Sequence, residues 1–229
     1  MNSKSPIINL SKFYRIKQLI IFFIYAPLIF YFFLIKTELS YYFFRKKNIR
    51  LTYNWKKIFK KLDQKKEISI LEIGSYAGLS TSIFIENLNN MTIDCVDTWG
   101  GSDEHKKDNF NLIESKFDKL KKNYSDKINK YKMTSEEFLQ YKIDSHSNHK
   151  YNLIYIDGSH FYDDVLKDAE LSFKFLKKNS YVIFDDFLWF RYKNIFHNPF
   201  LAILKFYKNN SKNLRIISVY SQVIFQKIK

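Results

Sequence analysis

Glycine, proline and cysteine are all scarce in this chain, with five Gly, three Pro and one Cys among 229 residues. A lone cysteine excludes an intramolecular disulfide framework, so the fold must hold through its core. Cys95 lies in the apolar strand pattern Met91 to Asp97, where a buried thiol is expected and a nucleophile is not. Arginine is scarce too, at five of the 38 basic residues, and arginine is the usual reader of base edges. The net charge of +15 therefore does not by itself mark a nucleic-acid binder, and no nucleic-acid partner is expected. What the chain does have is apolar and aromatic material, 46% and 19%, which excludes disorder and suffices for one α/β domain with an extension.

The charge is uneven. Residues 1–50 carry nine Lys or Arg against one Glu, so more than half of the excess lies beside one hydrophobic segment. That segment, Gln18 to Ile35, runs eighteen residues without a charge, just enough to span a bilayer. Lys12, Arg15 and Lys17 precede it, while Lys36, Arg45, Lys46, Lys47 and Arg50 follow. The larger downstream cluster predicts a main domain on the cytoplasmic face of a membrane, or in the cytoplasm if no anchor forms. No small-residue cleavage site follows, which argues against a signal peptide, and Pro27 permits a kinked helix. The expected organisation is a hydrophobic helix and membrane anchor within residues 1–50, then a folded domain over 51–229. An interfacial helix, or one packed on its own domain, is the alternative.

The domain is organised around Ile68 to Leu88, ISILEIGSYAGLSTSIFIENL, which reads as strand, glycine turn and helix. Gly74 and Gly78 let the backbone turn tightly and let a ligand approach, and Ser80 or Thr81 can cap the helix, whose N-terminus favours an anionic group. A nucleotide-like ligand is expected here. The spacing is not the G-x-G-x-x-G of dinucleotide binders, because Tyr76 stands in place of the middle glycine.

Strand and helix patterns then alternate. Trp55, Ile58, Phe59 and Leu62 form an amphipathic stripe before the first strand, and Met91 to Asp97 is the second. A long helix is marked by Phe110, Ile113, Phe117, Leu120 and Tyr124, and Lys127 to Lys132 is a third strand. Thr134 to Glu137 fits a capping box, Tyr151 to Asp157 a fourth strand, and Tyr181 to Asp186 a fifth. The helix between the last two carries Val165, Ala169, Phe173 and Leu176 and closes near Asn179 as its left-handed residue. Asn198-Pro199 opens another helix, and Leu214 to Tyr220 and Val223 to Ile228 are two strands joined by Ser221-Gln222. The alternation predicts a doubly wound, mostly parallel sheet with right-handed crossovers. All five glycines fall just after predicted strands one, two and four, at the carboxyl edge where such folds bind ligands.

An acid near 20 residues beyond the glycine turn holds ribose hydroxyls in such folds, and Asp97 fits that position; a carboxylate capping the following loop is the plainer alternative. Asp157 ends strand four while Asp185 and Asp186 end strand five, and adjacent strands lie about 4.8 Å apart. Three carboxylates converging at one edge would repel one another without a cation, and an oxygen-rich set suits Mg²⁺. His146 and His149 fall in a polar loop and read as surface residues.

Glu72-Ile73-Gly74-Ser75-Tyr76-Ala77-Gly78, Asp97, Asp157-Gly158-Ser159-His160 and Asp185-Asp186, in this order, resemble class I S-adenosylmethionine-dependent methyltransferases, especially metal-dependent O-methyltransferases of the catechol and macrocin type. The resemblance covers roughly residues 53 to 228. It implies a Rossmann-like seven-stranded sheet with an antiparallel C-terminal strand, and cofactor contacts from Glu72, Gly74, Ser75, Tyr76, Gly78, Ser80 and Asp97. Ser135 and Glu136 fall where the family contacts adenine. It implies metal ligation by Asp157, Asp185 and Asp186, with Asp157 and His160 catalytic. His160 stands where the catechol enzymes use a Lys base, and a histidine can accept a proton near neutral pH. The implied reaction is Mg²⁺-assisted methylation of a hydroxyl on a small molecule, sugar or glycolipid. Two rivals are a nucleic-acid methyltransferase, disfavoured by the Asp-Gly-Ser-His loop after strand four, and a non-catalytic membrane-bound module of the same fold.

Overall fold

The computed structural model describes residues 55–101, 108–187, 189, 192, 194–219 and 221–229. The hydrophobic segment 18–35, with the helix and anchor expected there, lies outside these residues. Among the described residues no helix is long and apolar enough to cross a membrane.

A strand buried on both faces reads as a near-continuous apolar run, and β1 (Ile68–Ile73) is buried at all six positions. It pairs in parallel with β2 (Met91–Asp97) on one side and β4 (Tyr151–Ile156) on the other. β3 (Ile128–Lys132) continues beyond β2, and β5 (Leu176–Phe184) beyond β4, all parallel. β7 (Val223–Lys227) is antiparallel to both β5 and β6 (Leu214–Val219), completing a seven-stranded sheet of order β3-β2-β1-β4-β5-β7-β6. The doubly wound α/β fold and its antiparallel C-terminal strand are thus as expected.

Because side chains alternate along a strand, the sheet has two cores. Ile70, Cys95, Tyr155 and Ile183 face a layer made by the helical residues 55–59, α1 (Leu79–Asn87) and α2 (Phe110–Asn123). Leu71, Val96, Ile154 and Phe184 face α3 (Ser135–Asp144), α4 (Tyr162–Phe173) and α5 (Pro199–Asn210). Trp55 is fully buried and stacks on Phe84 with centroids 4.7 Å apart. Burial of such a ring contributes about 1.5–3 kcal/mol. Cys95 is a buried free thiol, as its setting predicts.

Local details differ from the expectations in two places. The N-cap of α1 is Gly78, in the left-handed region at φ 83°, and no side chain caps it; Ser80 and Thr81 are turned to another partner described below. Leu176 is not helical: α4 ends at Phe173, and Leu176 begins β5 opposite Tyr151, whose N–H donates to the Phe175 carbonyl. The register then jumps to Leu153 opposite Tyr181, so residues 177–180 loop out of the ladder, and the left-handed Asn179 (φ 63°) turns that excursion. The capping box at Thr134 and Glu137 is present, Thr134 accepting from the Glu137 N–H at 3.1 Å.

Candidate active site at the carboxyl edge of the sheet

The loops after β1, β2, β3, β4 and β5 open on the same edge and enclose a cleft of about 740 Å³. Gly74, Tyr76, Asp97, Ser135 and Glu136 line it, as do Asp157, His160 and Asp186. Glu72, Ser75, Gly78, Ser80 and Asp185 are not in its wall.

The glycine turn is shaped by contact with β4. Gly74 has φ 88°, and a Cβ there would lie 2.1 Å from the Asp157 carbonyl oxygen, so only glycine fits where the two loops cross. Tyr76 is also left-handed, at φ 47°, and is held by hydrogen bonds to the loop after β2. Its N–H donates to Asp97 Oδ2 at 2.8 Å, and its carbonyl accepts from Trp99 Nε1 at 2.8 Å. Asp97 Oδ1 accepts from the Trp99 N–H at 2.7 Å. Asp97 therefore locks two loops together while lining the cleft, so the loop-capping role and a place in the cleft wall coexist in one residue.

Glu72 sits elsewhere for a reason of period. It shares a face of β1 with Ile70 and points beneath the first turn of α1, with no exposed surface. Ser80 Oγ and Thr81 Oγ1 each donate to it at 2.5 Å, and the Cys95 thiol approaches at 3.4 Å. Burial pushes its carboxyl above the usual range, against the pull of those hydroxyls. Glu72 and Ser80 thus fix the strand–turn–helix unit from below and do not reach into the cleft. Ser75 Oγ is buried and, among the described residues, has no hydrogen-bond partner in normal geometry.

At the other end of the cleft, single ligand atoms of Asp157, His160 and Asp186 lie within 4.8 Å of one another. His160 Nε2 is 2.6 Å from Asp186 Oδ2, and its ring stacks on Trp189 at 4.7 Å. Asp185 does not join them. It shares the face of Ile183, where its carboxylate accepts from Gln222 Nε2 at 3.0 Å and from the Tyr155 hydroxyl. The same Tyr155 hydroxyl reaches Asp157 Oδ2 at 2.9 Å, and Gln222 Oε1 accepts from Trp55 Nε1 at 2.9 Å. Burial, then repulsion from Asp185 and Asp186, holds the Asp157 carboxyl well above its ordinary value. Burial and Asp186 likewise raise Asp185. The three expected aspartates converge, but the face toward the cleft is Asp157, His160 and Asp186, with Asp185 behind Tyr155.

Sequence reasoning did not single out Tyr155, Gln222, Trp189 or Asp168. Tyr155 and Asp168 were visible only as polar groups in the buried registers of β4 and α4, and Gln222 only as a turn residue.

A family model described as a methyltransferase domain matches residues 71–187. The chain is 28% identical over 134 residues to R132, an uncharacterized protein of Acanthamoeba polyphaga mimivirus, and spans 56% of that relative's length. Among solved structures, the MycE methyltransferase from the mycinamycin biosynthetic pathway, in complex with Mg, SAH and mycinamycin VI, matches with TM-score 0.58 and 15% identity over 78% of this chain and 50% of that one. An O-methyltransferase from Bacillus cereus in complex with SAH matches at TM-score 0.55 and 18% identity, over 77% and 81%. The O-methyltransferase TomG from Streptomyces achromogenes, involved in tomaymycin synthesis and solved with SAM, gives 0.54 and 10%, over 76% and 80%. At these identities the likeness is one of fold.

Proposed function

The chain belongs to this methyltransferase-domain family, and from that premise we propose that it moves the S-methyl group of S-adenosylmethionine onto a hydroxyl oxygen. The observation that supports this most is the layout of one continuous cleft. A glycine turn and an acid at the end of β2 occupy one end, and Asp157, His160 and Asp186 the other. The cofactor lies over β1 to β3, near Gly74, Tyr76, Asp97, Ser135 and Glu136, and the acceptor hydroxyl beside Asp157 and Asp186. Glu72, Ser80 and Gly78 act on it through the shape of the turn.

The acidic end also fits a small divalent cation. Carboxyls held above their usual pKa by burial, and then by one another's charge, are a setting that a cation relieves, and ligand atoms within 4.8 Å can share one ion. Asp157 and Asp186 would hold it, with Mg²⁺ suited to the oxygens; the nearby imidazole also admits a softer metal. When bound, the ion lowers the pKa of an acceptor hydroxyl and orients its oxygen. His160, held by Asp186 and stacked on Trp189, accepts the hydroxyl proton as the oxygen attacks the methyl carbon and the carbon–sulfur bond breaks. The buried Tyr155 hydroxyl, shared by Asp157 and Asp185, keeps both carboxylates in place without a charge of its own.

The charge pattern of residues 1–50 supports an anchor at the cytoplasmic face of a membrane, and the acceptor is then a small molecule, sugar or glycolipid hydroxyl. The test is release of S-adenosylhomocysteine with a panel of hydroxylated acceptors, with Mg²⁺ and with chelator. Turnover that chelator abolishes, and that Asp186→Ala and His160→Ala each reduce at least tenfold, is expected. Turnover indifferent to chelator removes the metal, and no product with any acceptor favours the non-catalytic module.

A further inference from the structure

The two helical layers that cover the sheet carry opposite charge. Residues 55–66, α1 and α2 hold ten lysines against four acids, whereas α3, α4 and α5 hold four lysines against seven acids. A lysine-rich composition alone would load both layers alike, so the polarity belongs to the fold. Most of it comes from residues 55–66, with six lysines and one acid. Trp55, Ile58 and Phe59 turn inward, Trp55 against Phe84 and Tyr155. The helical period then sets Lys56, Lys57, Lys60 and Lys61 outward, where all four are exposed. Lys65 and Lys66 extend the exposed face beyond the helical turns. Asp63 lies 3.6 Å from Lys66, and among the described residues Lys56, Lys60, Lys61 and Lys65 make no ion pair.

What this face meets follows from what precedes it in the chain. The charge-free run Gln18 to Ile35 ends twenty residues before Trp55, and Arg45, Lys46, Lys47 and Arg50 lie between them. Twenty residues reach about 70 Å at full extension, so whatever holds the run also keeps this face close by. Anionic headgroups attract such a basic cluster, each lysine near the surface raising the affinity about fivefold. We propose that the lysine face of residues 56–66 docks the folded domain on an anionic lipid surface, through Lys56, Lys60, Lys61 and Lys65. The acid-rich layer of α3, α4 and α5 is repelled by the same surface, so the domain lies on it one way round. An RNA partner fits this face less well. Its cations are all lysine, and the aromatic residues of 55–66, Trp55 and Phe59, are buried where no base can stack on them. Among the described residues none of 55–66 lines the cleft, which opens at the carboxyl edge of the sheet and stays clear of the docked face. The inference goes beyond the anchor proposed above by naming the surface of the domain that meets lipid, and it stands apart from the methyl-transfer reading.

The test is lysine acylation of the full chain, read by peptide mass spectrometry, on vesicles of phosphatidylcholine alone and of phosphatidylcholine mixed with phosphatidylserine. On the mixed vesicles labelling of Lys56, Lys60, Lys61, Lys65 and Lys66 is expected to slow about threefold or more, while Lys167, Lys205 and Lys208 on the other layer label as before. The difference is expected to vanish at high salt and on phosphatidylcholine alone. The variant Lys56→Glu, Lys60→Glu, Lys61→Glu and Lys65→Glu changes only exposed positions. It is expected to sediment with the vesicles through residues 18–35 yet to lose the protection of Lys66. Uniform labelling of both layers on sedimented protein, slowing on the α3–α5 layer instead, or protection kept by the variant overturns the docking face while leaving the anchor. No sedimentation of the wild type overturns both. Protection of the same lysines by RNA and not by vesicles overturns the lipid assignment in favour of nucleic acid.

Discussion

Asp168, a buried acid of α4 in the cleft wall, makes a prediction about stability, because burial raises its carboxyl to about 7 in the fold from 3.8 unfolded. A raised pKa means that the folded state holds the proton more tightly, so this group destabilises the empty protein increasingly as pH rises from about 4 to 7, and by a constant amount above that. Asp168→Asn removes the penalty. It is expected to stabilise the ligand-free protein at pH 8 by up to about 4 kcal/mol, with the gain gone near pH 4, read from the melting temperature against pH. A gain that does not depend on pH would contradict the ionised, buried carboxylate. The same residue shows why the site was partly illegible. In the sequence Asp168 is one acid among several on an amphipathic helix, and only packing shows that its register is that of Val165 and Ala169. Glu72 is the converse case. Its place beside two glycines suggests a ligand contact, but the two-residue period of β1 turns it under α1, where Ser80 and Thr81 bind it.

Among the elements, the buried parallel strands were the most legible, since apolar runs such as Ile68 to Ile73 and Tyr151 to Ile156 have few other uses in a chain of this kind. The start of β5 was not. A left-handed Asn after an apolar helical stripe ends a helix or turns an excursion within a strand, and only the pairing of Leu176 with Tyr151 decides. The aspartates at the end of β5 were legible as a pair but not as individuals, because alternation sends Asp186 to the cleft and Asp185 to the face of Ile183. That face joins three elements through one chain of hydrogen bonds. Trp55, ahead of β1, donates to Gln222 in the β6–β7 turn, which donates to Asp185 at the end of β5. Gln222→Leu strands a buried indole N–H and removes a donor from Asp185, and is expected to cost about 1–3 kcal/mol in urea denaturation. S-adenosylhomocysteine affinity is expected to stay unchanged, since Gln222 lies outside the cleft. A loss below a few tenths of a kcal/mol would mean that the chain of bonds carries no stability.

For the whole molecule, the sequence separates two regions that the physics treats differently: a basic, apolar segment before residue 51 and an α/β domain after it. The full chain is expected to co-sediment with vesicles containing anionic lipid, and the double variant Phe22→Lys and Phe23→Lys is expected to remain in the supernatant while still binding cofactor. Equal sedimentation of both would place membrane affinity, if any, outside residues 18–35. Within the domain, the central claim is that the carboxyl edge between β3 and β5 receives S-adenosylmethionine across the turn at Gly74. Titration of the full chain with S-adenosylhomocysteine tests it most directly, alongside Gly74→Asp, whose side chain would have to enter space held by the Asp157 backbone. Saturable binding by the wild type at one site per chain, lost in Gly74→Asp, is the predicted result. No binding by the wild type, or equal binding by the variant, would contradict the account.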